Sequence, residues 1–464
     1  MKQTKLVQVL DTFSEKEKKE LDILLQSDLI PLSKDGHKLF NCLQRQTSSN
    51  APRQKSIIYA QIYPSTPYND QKLRLLSSQL LKACEQYIVI AQLDSVDHVQ
   101  YKNLVLAKYF RDKGLTKNYS SHYNQIQKTH AKSNFGLSPR NLLDIEFEHY
   151  QFESLQQRSK SFNLNALLDL ADQSYFAEKL KYACYAVANK NVNATSEEIE
   201  MDVLIEKITH LNAHLNPHIG VYFHCYFMLK NHEDDSHYLQ FIDTLTTNEL
   251  LFSVDEKRSL YFFALNYCIR KLNEGNRDFG VKGLDIYETL IDSALIFNQG
   301  KLSRFTYRNM AMMAIRVGDY TRAESLTIRF EPSLQASERT SAFHFNMALI
   351  YYHKKDLQSA LSSITQADFS DHLIGLAAKT LQAKIYYEMD EDKVLDSHLD
   401  SMGMYIIRSK VLGYHKTNYK NFIRHLKRLI KLNMYDVDRK KKYTTTIKAE
   451  SILTERAWFL EMVA

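Results

Sequence analysis

Histidine offers the first prospect of chemistry in this chain. His210, His214 and His218 recur every four residues, and on one helix that spacing would put His210 and His214 on a shared face where two imidazoles can ligate a metal. Pro217 is expected to end that helix. A zinc hydrolase of the H-E-x-x-H kind needs a Glu directly after its first His, whereas Leu211 and Asn212 follow His210 here. A second cluster, His232-Glu233-Asp234-Asp235 with His237, contains ligand-type residues but reads as a loop between helices. With 17 His in the chain such spacings arise by chance, so no metal is assigned. Gly275 and Gly280 are separated like the glycines of a phosphate loop, yet Val281 and Lys282 follow where Lys and then Ser or Thr are required. No G-x-S-x-G elbow, kinase set or cysteine-nucleophile motif is present. The expectation is a non-enzymatic protein with no catalytic residues and no cofactor.

Two other groups of residues suggest binding. Asn266, Asn309 and Asn346 occupy equivalent places in a repeated pattern. An Asn side chain both donates and accepts, so three of them stacked along one face could hold the backbone of an extended polypeptide. The competing expectation is that each amide ties its own repeat together. Arg308 with Met312, and Phe345 with Leu349, are expected to face the same groove, a set that lacks the Lys and Asn of a clamp for a chain-terminal carboxylate. The other group is basic. Between Arg408 and Lys442 lie 12 Lys and Arg against two Asp, a net of +10 in a chain whose total is +6. Within it Phe422, Ile423, Leu426, Leu429 and Ile430 form an apolar stripe, while Lys420, Arg424, Lys427, Arg428 and Lys431 cover the remaining surface. That surface suits nucleic-acid phosphates or an acidic partner, or else is a solvated outer face.

The elements that carry these residues follow from composition. The 464 residues include only 12 Gly and 7 Pro, about a third of the usual share of these turn formers. Hairpins and glycine-rich loops are thereby excluded, and 44% apolar with 25% charged residues indicates a folded all-α protein. Five cysteines, odd in number and never spaced as C-x-x-C, fit free thiols in a reducing cytoplasm. No uncharged apolar run reaches secretory or membrane-spanning length, so neither secretion nor a membrane partner is expected.

Ser14 and Glu17 have capping-box spacing ahead of Leu21, Leu24 and Leu25, and Pro31 stops that helix. Shorter apolar stretches around Leu39 and from Ile57 to Ile62 follow, before Pro64 and Pro67. Asn69 or Asp70 caps a helix whose Leu73, Leu76, Leu80, Cys84 and Tyr87 form one stripe. Gly114 marks a turn, Ser138-Pro139 starts another helix, and Thr195 with Ser196 lies in a polar loop before the next. From Leu260 to Met402 a pattern recurs. Asn309-Met310-Ala311, Gly318-Asp319-Tyr320 and Ala323 realign 37 residues later as Asn346-Met347-Ala348, Lys355-Asp356-Leu357 and Ala360. An earlier copy starts at Asn266 and turns at Gly275, and a later one aligns Ala383 with Ala348. A period in the mid-thirties, with a short turn and small residues where two helices touch, is a tetratricopeptide-like signature.

The strings FSEKEKKELDILLQSDLI, IYPSTPYNDQKLRLLSSQLLKACEQYI, ALNYCIRKLNEGN, SRFTYRNMAMMAIRVGDY, FNMALIYYHKKDLQSAL and IYYEMDED resemble, in order, stretches of a bacterial family of tetratricopeptide-like helical-repeat proteins of about this length. The resemblance covers most of the chain. It implies the fold and carries no activity. The expected organisation is a helical N-terminal domain (1–96), a helical-hairpin array (97–250), tetratricopeptide-like repeats (251–402) forming an α-solenoid, and basic C-terminal helices with a cap around Trp458 and Phe459 (403–464). The function expected of it is that of a cytoplasmic interaction or scaffold protein that binds a polypeptide through Asn266, Asn309, Asn346 and Arg308. The alternative is a nucleic-acid-associated regulator that uses Lys420, Arg424, Lys427, Arg428 and Lys431.

Overall fold

In a computed structural model that describes residues 4–27, 30, 32–47, 54–93, 99–132, 138–156, 163–192, 200–367, 372–408 and 414–464, the regular structure is helical. Among the described residues there is no strand, only an isolated bridge between Asn298 and Lys301. The chain is all-α and divides into two compact units, residues 1–170 and 171–464.

The first unit contains Lys5–Thr12 (α1), Glu15–Leu25 (α2), Lys34–Thr47 (α3), Lys55–Ile62 (α4), Asp70–Leu93 (α5), Val99–Asp112 (α6), Thr116–Lys132 (α7) and Pro139–Gln156 (α8). Its local signals are met. The Ser14 hydroxyl accepts from the Glu17 amide at 3.3 Å, and the Glu17 carboxylate accepts from the Ser14 amide at 2.7 Å, closing the capping box of α2. Asn69 caps α5 by accepting from the Lys72 amide at 2.9 Å. The α5 stripe of Leu73, Leu76, Leu80, Cys84 and Tyr87 is buried against Leu6, Leu21, Phe40 and Ile58 in one core. Gly114 takes a positive φ of 69° at the turn between α6 and α7. Ser138 accepts from the Asn141 amide at 3.3 Å at the start of α8. The stop at Pro31 and the loop containing Thr195 and Ser196 lie outside the described residues.

Leu164–Val192 (α9) contains the junction between the units. The second unit continues with Asp202–His210 (α10), Pro217–Lys230 (α11), Ser236–Thr247 (α12), Val254–Asn273 (α13), Arg277–Asp292 (α14), Arg304–Val317 (α15), Tyr320–Phe330 (α16) and Arg339–His353 (α17). Leu357–Ile364 (α18), His372–Glu388 (α19), Asp392–Arg408 (α20), Tyr414–Ile430 (α21), Val437–Ala449 (α22) and Arg456–Met462 (α23) complete it. Neighbours in sequence pack as pairs, α11 on α12, α13 on α14, α15 on α16, α17 on α18 and α19 on α20. Alternate helices also touch, α15 on α17, α17 on α19 and α19 on α21.

The repeat seen in the sequence has a backbone counterpart. Gly275, Gly318, Lys355 and Asp390 all adopt a positive φ, 100°, 90°, 65° and 58°, directly after a helix. At each, the next amide reaches back to a carbonyl of the last helical turn: Asn276 to Lys271, Asp319 to Ala314, Asp356 to Tyr351 and Glu391 to Tyr386, at 2.9–3.0 Å. This is a left-handed helix stop. Asp319 and Asp356 then cap α16 and α18, accepting from Arg322 and Ser359 at 2.9 and 3.0 Å. The alanines expected at helix contacts, Ala311, Ala323, Ala348, Ala360 and Ala383, are fully buried.

The boundary expected at 96/97 lies outside the described residues. The one expected at 250/251 falls inside a core running from Phe176 to Ile385, and that at 402/403 inside one running from Leu376 to Val463. Each helix pair buries a face against the next, so neither core is interrupted there.

Candidate functional site

In the second unit, alternate helices turn periodic stripes toward a common cavity of about 380 Å³. From α15 come Phe305, Arg308, Met312 and Arg316, spaced three or four apart as one helical face requires. Phe345, Leu349 and His353 come from α17, Ile374, Ala377, Leu381 and Lys384 from α19, and Tyr419 from α21. Thr454 and Glu455, just ahead of α23, complete the lining. The four residues expected to face a groove, Arg308, Met312, Phe345 and Leu349, therefore line one cavity.

One ion pair matches part of its charge. Lys384 Nζ lies 2.7 Å from the Glu455 carboxylate and 4.8 Å from the centroid of the Tyr352 ring. Arg316 donates to the Asn273 side-chain carbonyl. Beneath the cavity, Glu388 accepts from the Tyr352 hydroxyl, from Trp458 Nε1 at 2.9 Å and from Lys355 Nζ at 3.1 Å. Burial alone would raise the Glu388 carboxyl, but these hydrogen bonds hold it below the usual carboxylate range. Trp458 and Phe459 of α23 are buried beside Phe422 of α21, so the expected C-terminal cap covers this end of the core.

Arg308 differs from the other cations. Its guanidinium carbon sits 5.2 Å from the centroid of the Phe345 ring, and among the described residues it has neither a hydrogen bond nor an ion pair. Burial pulls its pKa down, against the pull of Tyr419 and Glu455. Partial enclosure and the nearby Lys384 charge lower the pKa of His353, which is exposed at the cavity wall, leaving a neutral imidazole able to donate or accept. Arg308 and Phe345 also line a smaller adjoining cavity of about 40 Å³, with Ser341 and Asn346. Arg308 thus stands between two recesses.

The three asparagines of the expected ladder differ in burial. Asn266 and Asn309 are exposed, whereas Asn346 is 1% exposed. Its Nδ2 donates to the Tyr307 carbonyl at 3.3 Å and its Oδ1 has no partner. Equivalent sequence positions therefore differ in burial.

The basic helix α21 is placed as expected, with Phe422, Leu426 and Leu429 buried. Its cations are partly neutralised. Arg424 pairs with Glu450, and Lys427 with Asp400 at 2.6 Å. Lys420, Arg428 and Lys431 are exposed without a counter-ion among the described residues. His425, fully buried between them, lies 2.9 Å from Glu450.

The histidine spacing dissolves in the fold. The helix that carries His210 ends there, Asn212 takes a positive φ of 51°, and Pro217 begins α11 instead of ending a helix. The Asn216 side chain, accepting from the His218 amide at 3.0 Å, makes that start. His218 then points into the core against Phe252. The acidic cluster is a loop fastened to α13, where Asp235 meets Lys271 at 2.6 Å and the Tyr267 hydroxyl at 2.7 Å. Gly275 is a helix stop and Gly280 is packed inside α14 against Val317. Among the described residues no group of three or more His, Cys, Asp or Glu could hold a metal, and no helix is long and apolar enough to cross a membrane.

Sequence reasoning missed Glu388, Lys384 and Glu455. Their partners lie up to 71 residues away, so no local spacing announces them. Compared with known proteins, the chain matches no family model, no curated protein and no solved structure.

Proposed function

We propose that residues 171–464 form a tetratricopeptide-like array and that the groove on α15, α17 and α19 binds another polypeptide, making this a non-enzymatic interaction or scaffold protein of the cytoplasm. The observation that carries the reading is the groove itself. Phe305, Met312, Phe345, Leu349 and Leu381 give it apolar walls, and Arg308 and His353 add polar groups that few protein partners occupy. Apolar walls with a few convergent polar groups are the usual constitution of a recognition site. The recurrence of one helix stop at Gly275, Gly318, Lys355 and Asp390 supports the repeat assignment, and arrays of this kind bind along extended faces. Four of the five cysteines are buried, in keeping with a reducing compartment.

The nucleic-acid reading has less support, because two of the five cations assigned to it already have acidic partners.

The test is selection of dodecapeptides from a random display library on the full chain, repeated with Phe305→Asp. Phe305 is 56% exposed, so the substitution leaves the core untouched. Peptides that bind the wild-type chain and not the variant are expected. Failure to enrich any peptide, or enrichment indifferent to Phe305→Asp, overturns the proposal.

A further inference from the structure

We infer that Arg308 is the specificity-determining residue of the groove and that it receives a side-chain carboxylate, Asp or Glu, from the middle of the bound polypeptide. This rests on the polypeptide reading above and adds the chemistry of the ligand. A half-buried guanidinium loses part of its hydration, which an anion or a set of acceptors can replace. Every other cation of the two recesses has its partner: Arg304 meets Glu338 at 2.8 Å, Lys384 meets Glu455 at 2.7 Å, and Arg316 donates to Asn273. Arg308 has the face of Phe345 and the longer-range pull of Tyr419 and Glu455, but no hydrogen bond or ion pair of its own among the described residues. The ring contact takes up none of the guanidinium N–H donors, and a carboxylate's two oxygens suit them.

Arg304 and Lys384 are matched by Glu338 and Glu455, and Arg316 is engaged by the neutral Asn273 side chain. Arg308 is the guanidinium of the recesses without a hydrogen bond among the described residues, and one carboxylate satisfies it. Position in the groove settles which carboxylate. Arg308 lines both the larger cavity toward Lys384 and the smaller one toward Asn346 and Ser341. The smaller recess, about 40 Å³, is too small for a passing backbone, so the carboxylate that reaches Arg308 from the larger cavity is placed on a side chain.

The experiment uses the full chain and dodecapeptides enriched from the random display library, resynthesised with Glu, Gln or phosphoserine at each acidic position and with free or amidated ends. Affinity is read by fluorescence polarisation. Replacing one internal Asp or Glu by its amide is expected to weaken binding about 10- to 100-fold, the loss of one charge-assisted contact. Phosphoserine at that place is expected to bind no better than Glu, and amidation of the end to change nothing. Arg308→Gln should abolish the preference for acid over amide, and Arg308→Glu should transfer it to peptides with Lys at that position. Peptides that bind the groove with equal affinity for Glu and Gln, or that lose binding only on amidation, overturn the carboxylate assignment while leaving the polypeptide reading intact. A library with no binders overturns both. If either variant fails to fold, the Glu-to-Gln comparison on the wild-type chain decides alone.

Discussion

Arg308 lies over the ring of Phe345, 5.2 Å from its centroid, and the two side chains come from helices whose repeats are offset by one sequence period. The stacking compensates only part of what the guanidinium loses on leaving water, since a cation–π contact contributes about 0.5–1 kcal/mol at such sites. Arg308 is therefore a group retained at a cost to the unliganded fold. Arg308→Met keeps the length and apolar contact and removes the charge. It is expected to raise the stability of the free protein by about 1 kcal/mol, roughly 2 °C in melting temperature. Calorimetry of the two proteins checks this. A clear loss of stability would assign Arg308 a structural role.

Glu388 joins three elements. Its carboxylate collects Tyr352 of α17, Lys355 at the turn after α17, and Trp458 of α23. Removing the acceptor leaves two buried donors with nothing to satisfy. Glu388→Ala is expected to cost about 3 kcal/mol in urea denaturation, with unfolding midpoint lowered at nearly constant slope. Glu388→Gln keeps an acceptor and should cost less than half of that. Equal effects of the two substitutions would mean that packing, not hydrogen bonding, holds α23 in place.

Much of the fold was legible in the sequence wherever a signal is local. The α5 stripe from Leu73 to Tyr87 needs only a helical period, and the capping box at Ser14 and Glu17 needs four residues. The offset that aligns Gly318 with Lys355 works because both positions stop a helix with a positive φ, although only one is glycine. Arg308, Met312, Phe345 and Leu349 could be set in a common groove because four-residue spacing fixes a helix face. The asparagine series was not legible in this way. Alignment establishes equivalent positions, but exposure depends on what packs over them, and of the three Asn346 is the buried one. Pro217 was misread because proline both ends helices and starts them. Asn216, one residue earlier, was the signal for a start. The cluster of Lys384, Glu388, Glu455 and Trp458 had no sequence signature, being assembled across about 70 residues.

Asp390 tests the repeat's turn geometry. It occupies the place that Gly275 and Gly318 fill elsewhere, with φ of 58°, and its exposed side chain makes no hydrogen bond. A left-handed conformation costs a non-glycine residue about 1 kcal/mol. Asp390→Gly should recover most of it and raise the melting temperature by roughly 2 °C. Lys355→Gly, at the equivalent turn, should yield less because Lys355 also reaches Glu388 at 3.1 Å. A fall in stability for Asp390→Gly would show that the unfolded chain's added freedom outweighs the relief of the turn.

His218 makes the second unit sensitive to mild acid. It is buried against Phe252, 4.8 Å between ring centroids, and neither ring nitrogen has a hydrogen-bond partner. Burial lowers its pKa against the pull of Glu256, and burial likewise pushes His224 to about 4. In each case the unfolded chain takes up a proton near pH 6.5 that the folded chain refuses until lower pH. Stability contributed by the neutral form is present above that value and is lost as pH falls from about 6.5 toward 4. Carboxylates with depressed pKa, Glu256 at about 2 among them, add a loss of the same sign at still lower pH. Melting temperature is expected to fall between pH 7 and pH 5. His218→Phe replaces an unpartnered imidazole with a ring of similar size, so its stability relative to wild type should improve more at pH 5 than at pH 7. A variant whose advantage is the same at both pH values would place the acid sensitivity elsewhere than at His218.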